Sequence, residues 1–154
     1  MVKLTFSIAI DAPVEKVYKT MLGLEDPSTY NQWTTIFNPT SNFEGTWEEG
    51  SRMRFVGLDE KGKQVGMFSK IVKHEPAKFL SIKHRGVISD GKQLDKGPKA
   101  KPWIGAKEEY TFSEKDGATT VDVALDTIIQ YKKYFKVAWP KALEQLKENI
   151  EESQ

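Results

Sequence analysis

The sequence contains no cysteine. That excludes disulfides, thiolate metal ligands and cysteine nucleophiles together, and it points to a reducing compartment, so the expected location is cytoplasmic. Histidine is scarce as well. His74 and His84 are the only two, a poor start for a metal site. No apolar run approaches the roughly 20 residues of a membrane span. The opening MVKLTFSIAI alternates, where a secretory signal needs a continuous apolar run. Charge of one sign is also missing: 23 basic residues against 22 acidic ones leave a net charge of +1. The whole molecule therefore has no field of the kind that draws in nucleic acid or an anionic membrane. Neither a G-x-x-x-x-G-K-[ST] loop nor a G-x-G-x-x-G turn occurs, which leaves nucleotide phosphates without a cradle. No serine stands in a nucleophile-elbow context. The expected cofactor and metal content is none.

What is present is hydrophobic periodicity. With 154 residues, 38% of them hydrophobic and 29% charged, the chain can bury a core, and residues 1–154 read as one domain. Val2, Leu4, Phe6, Ile8 and Ile10 alternate with smaller or polar residues, the period of a half-buried strand. Asp11-Ala12-Pro13 ends it; Asp11 can cap a helix and Pro13 suits its first turn. Val14, Val17, Tyr18, Met21 and Leu22 follow at helical spacing up to Gly23. A second short helix starts at Asp26-Pro27-Ser28 and carries Tyr30 and Trp33.

From Thr40 to Thr127 the period returns to two, in six strands joined mostly by hairpin turns and so antiparallel. Residues 131–150 go back to helical spacing, with Tyr131, Phe135, Trp139, Leu143 and Leu146 on one stripe. Pro140 lies inside that helix and predicts a kink or short break near Lys136 to Trp139. The stretch 86–104, GVISDGKQLDKGPKAKPWI, reads as a long loop insertion: a floppy hairpin extension, a lid over a cavity, or a partner-binding loop. These elements define an α+β protein with a curved, mostly seven-stranded antiparallel sheet and a long C-terminal helix.

That element order resembles the START-like (SRPBCC, helix-grip) superfamily, in which the sheet wraps the last helix. The segment I-D-A-P-V-E-K-V-Y at 10–18 is similar to that superfamily's entry into its first helix, and Trp33 falls where its second helix carries tryptophan. Gly45-Thr46-Trp47, Gly50-Ser51 and Phe55, with the ending Trp139-Pro140-Lys141-Ala142-Leu143, resemble the branch of activators of a heat-shock chaperone ATPase. The resemblance implies a cavity between the concave sheet face and the terminal helix. Superfamily members include lipid carriers, cyclases, hormone receptors and chaperone regulators, and fold alone does not choose among them.

Alternation selects the residues expected to face that cavity: Met53, Phe55, Met67, Ile82, His84, Glu108 and Tyr110 from the strands, with Trp33, Trp139 and Leu143 from helices. Methionines and large rings on one face suit an adaptable apolar pocket. His84 is in phase with Leu80 and Ile82, and Glu108 with Tyr110; inside an apolar cavity the two would shift each other's pKa. A one-residue slip would turn Arg85 and Glu109 inward instead. His74, at a strand end, is expected to be exposed. The leading functional reading is a small hydrophobic or amphipathic ligand held in the cavity. The alternatives are a protein-interaction or chaperone-regulator module, and a cyclase- or hydrolase-like enzyme using His84 with Glu108 or Tyr110. A protein partner, and either a monomer or a homodimer, stay open.

Overall fold

The computed structural model describes residues 1–154. The chain runs β1 (Val2–Ile10), α1 (Val14–Leu22), α2 (Ser28–Thr34), β2 (Asn42–Gly45), β3 (Arg52–Leu58), β4 (Gln64–Glu75) and β5 (Phe79–Ser89). Then come β6 (Lys92–Leu94), α3 (Gly97–Ala100), β7 (Lys107–Lys115), β8 (Ala118–Thr127) and α4 (Lys132–Glu152). All pairings are antiparallel, in the order β1-β8-β7-β5-β4-β3-β2, with β6 paired to β5 off that path. The path holds the expected seven strands, and β6 makes eight. One face of the sheet carries Leu80, Ile82, Tyr110, Phe112, Val121, Val123 and Leu125 into a core shared with α1, α2 and α4.

Of the readings for 86–104, the hairpin extension is the one the chain adopts, with short elements of its own in place of a long loop. Residues up to Ser89 extend β5, Asp90 and Gly91 turn the chain at positive φ (52° and 77°), and Lys92–Leu94 return as β6. Two consecutive left-handed residues in Asp-Gly make a tight hairpin. The rest folds into α3 and the 3-10 turn Lys101–Trp103.

Asp11 does not cap α1. The side chain that accepts a hydrogen bond from the first helical amide, Val14 N, belongs to Glu114 on β7, at 2.6 Å. A carboxylate beside the positive end of a helix is favourable, and this one ties α1 to the sheet. Glu114→Ala is expected to cost about 1 kcal/mol, the usual loss for an N-terminal cap, read as a lower denaturant midpoint with an unchanged slope.

Pro140 does not break the last helix. Helical structure is continuous from Lys132 to Glu152. Lys136 and Pro140 are both exposed, so the carbonyl that loses its amide partner lies on the solvent side, where water can replace that bond. Ala138, Trp139, Ala142 and Leu143, buried around it, hold the helix against the sheet. His74 also differs from expectation. It is half-buried, its Nδ1 2.7 Å from the Trp47 carbonyl and its Nε2 2.6 Å from the Tyr18 hydroxyl, and so links β4 to α1.

Candidate functional site

Between the concave face and α4 lies a cavity of about 420 Å³. Trp33, Tyr110 and Trp139, all buried, form its depth; Tyr131 and Tyr134, both exposed, mark its mouth. Ten of its wall residues are aromatic and none is lysine or arginine. On β4 the wall is bare backbone at Gly66, where an added Cβ would fall 1.9 Å from the Phe55 carbonyl oxygen.

Of the residues expected to face the cavity, Trp33, Phe55, Met67, His84, Glu108, Tyr110 and Trp139 line it. Met53, Ile82 and Leu143 do not; each is about 1% exposed and packed in the core. Alternation sets which sheet face a residue points from, while the cavity occupies only part of that face. The walls also include Phe37, Asp126, Trp103, Tyr131, Tyr134 and Phe135. Phe135 precedes Trp139 by four residues on α4, and Tyr131, in the turn just before that helix, by eight, a spacing that marks both as lying on its side. Phe37 lies in an irregular connection without periodicity, and Asp126 is out of phase with Leu125 at the end of its strand.

Glu108, Tyr110 and His84 fall into two separate hydrogen-bonded pairs. Glu108 and Tyr110 stand two apart on β7, on one face, and the Tyr110 hydroxyl donates to the Glu108 carboxylate. Burial pushes the Glu108 carboxyl above its ordinary range, and the bond from Tyr110 partly opposes this. Burial, then the Glu108 charge, raises both Tyr110 and Tyr30; their phenols stay protonated at neutral pH. His84 pairs with β4: its Nδ1 lies 2.7 Å from the Ser69 hydroxyl. Burial pulls its pKa down to about 4, against a smaller upward pull from Asp126. At neutral pH the ring is therefore uncharged.

His84 and Glu108 thus share the cavity without the expected mutual pairing. The strand register did not slip: Glu109 points to the opposite face, where it accepts a hydrogen bond from Ser81 at 2.7 Å. Chemically, the cavity offers aromatic walls, the two carboxyl groups of Glu108 and Asp126, and a neutral imidazole. It offers no cation to neutralise an anionic ligand, and burying such a charge unpaired is costly.

No functionally curated protein matches the chain. Among solved structures it is similar to protein MLL2253 from Mesorhizobium loti, at 14% identity over 99% of both chains and a TM-score of 0.72. It is similar to Aha1 from Colwellia psychrerythraea, solved as a dimer, at 20% identity over 97% of this chain and 96% of that one, TM-score 0.68. CalU16 from Micromonospora echinospora matches at 22% identity over 96% of this chain and 73% of the other, TM-score 0.64. These likenesses establish the helix-grip fold. A family model described as Activator of Hsp90 ATPase homolog 1-like protein matches residues 11–151, nearly the whole chain, and the protein belongs to that family.

Proposed function

We propose that this protein is a cytoplasmic binding module that holds a small amphipathic molecule between its sheet and α4. The observation that carries this reading is the cavity of about 420 Å³, aromatic on most sides, with Glu108, Tyr110 and His84 gathered as a polar focus. Ligand sites combine an apolar lining with a few placed polar groups in this way. In this reading the ligand's body stacks among Trp33, Phe55 and Trp139. Its polar end meets Glu108 and Tyr110, and Met67 adapts the wall. Because the walls carry no lysine or arginine, that end is neutral or cationic.

A series with one aromatic body and an alcohol, amine or carboxylate terminus tests this by thermal shift and native mass spectrometry. The alcohol and amine are expected to stabilise the protein, by about 2.7 kcal/mol at a hundredfold excess over Kd, and the carboxylate to do nothing. Glu108→Gln is expected to weaken the amine by about tenfold or more, since hydrogen bonds to charged groups contribute about 1.5–3 kcal/mol. If no member of the series shifts the melting temperature and no small molecule accompanies the purified protein, the reading fails.

A protein-interaction or chaperone-regulator role is the second reading. It rests on the family and on the dimer formed by the Colwellia relative. Sedimentation for self-association, and ATPase assays with the host's chaperone, test it.

A further inference from the structure

We propose that the mouth of the cavity is a docking surface for an anionic lipid bilayer. Two segments meet there, 96–107 and 128–143, joined where the rings of Trp103 and Tyr131 lie 5.5 Å apart. The first carries Lys96, Lys99, Lys101 and Lys107, the second Lys132, Lys133, Lys136 and Lys141, and neither has an aspartate or glutamate. The remaining residues hold 15 basic groups against 22 acidic ones. A net charge of +1 therefore conceals two wholly basic segments that the Trp103–Tyr131 contact brings together at the cavity mouth. None of these eight lysines is in an ion pair.

The same two segments are apolar where they meet solvent. Of the ten exposed large hydrophobic residues in the whole chain, five are here: Ile104, Ile129, Tyr131, Tyr134 and Val137. Ile129 is 62% exposed and Val137 57%. On α4, Lys133, Val137 and Lys141 recur at four-residue steps on the solvent side, opposite the buried Trp139 and Leu143.

Lysines without carboxylates attract many polyanions. Exposed isoleucine and valine among them narrow the choice. A nucleic acid would neutralise the lysines and leave Ile129 and Val137 in water. A bilayer answers both features: aliphatic tips enter the acyl boundary, tyrosine and tryptophan rings sit at headgroup level, and lysines meet lipid phosphates. The charge sorting is consistent with this, since the anions stay at the rim and the interior has no cation to draw them in. Docking at this mouth does not depend on what the cavity holds.

Vesicle flotation tests it, with phosphatidylcholine alone and with phosphatidylglycerol added. The protein is expected to float with the anionic vesicles, and to be released as salt rises. K132E/K133E/K136E is expected to weaken that binding by roughly a hundredfold, since each lysine near the surface contributes about fivefold. I129S/V137S is expected to weaken it by roughly tenfold through lost apolar contact, while heparin binding stays unchanged. Ile129, Lys133, Lys136 and Val137 are exposed and Lys132 is half-buried, so unaltered melting temperatures are expected to accompany these losses. The proposal is overturned by absence of binding to anionic vesicles at low salt, or by equal binding to both vesicle types. Vesicle binding that I129S/V137S leaves intact also overturns it, because the patch is then a site for soluble polyanions.

Discussion

Trp139→Ala is expected to cost about 3–5 kcal/mol of folding stability, the range for removing a large aromatic side chain from a core. Trp139 is buried, with the rings of Phe37 at 5.0 Å, Trp33 at 5.8 Å, and Phe6 and Tyr110 at 6.2 Å. It is the point at which α2, the connection after it, and strands β1 and β7 meet one side chain of α4. Two features keep the neighbours from collapsing into the space it would leave. The helix is held on both sides by Ala138, Ala142, Leu143 and Leu146, and the new void opens into a cavity that already exists. At this chain length the loss corresponds to a fall in Tm of about 10 °C. Leu143→Ala, one helical turn further on, is a control of similar chemistry, with an expected cost of about 2–5 kcal/mol. Leu143 does not line the cavity, so that variant is expected to keep its ligand-dependent stabilisation while Trp139→Ala loses it. Denaturant midpoints measured with and without the alcohol or amine probe separate the two outcomes. Equal loss of the ligand effect in both variants would show that Trp139 acts only through stability.

Strand β1 and helix α1 were legible because each buries one face only, which imposes a clean period of two or of 3.6 on the residues. The inward direction of His84 and Glu108 followed from the same period, since a slip would have exposed Leu80, Ile82 and Tyr110 together. Depth along that face was not legible. Met53 and Ile82 obey the same alternation as Phe55 and His84, and only the arrangement of three helices over the sheet decides which of them meets a void. The 86–104 stretch carries a hairpin signal in Asp90-Gly91 with Val87 and Ile88 before it, which fits the hairpin-extension reading; its lysine, glycine and proline content masks the short elements β6 and α3. His84's real partner, Ser69, sits across β4 at a register shift between Phe68 and Ser69; a bulge of this kind moves pairings by one residue and leaves no periodic trace. Net charge misled for a simpler reason. A sum over the chain cannot register that eight lysines fall in two segments which the fold then places side by side.

His84 gives the second large effect, in the dependence of stability on pH. Its pKa is about 4 in the folded protein, lowered mainly by burial, against about 6.5 for an unhindered histidine. A depressed folded-state value means that the unfolded chain binds the proton more readily. The stability associated with the neutral, buried ring is therefore complete above about pH 6.5 and is lost as pH falls through that window toward 4. A separation of this size corresponds to about 3 kcal/mol. Glu108 works in the opposite direction. Its folded value is raised, so its contribution is present below the unfolded carboxylate value and is lost as pH rises through the folded one. The two slopes oppose each other where their ranges meet, and wild-type data alone would understate both. The informative quantity is the difference between wild type and His84→Gln, which keeps a polar group near Ser69 and cannot titrate. Urea unfolding between pH 4 and 7.5 is expected to show the wild type losing about 3 kcal/mol more than the variant over the acidic half of the range. Parallel profiles would mean that the imidazole accepts its proton inside the folded cavity as readily as in water. In the corresponding difference for Glu108→Gln, the expected sign is reversed.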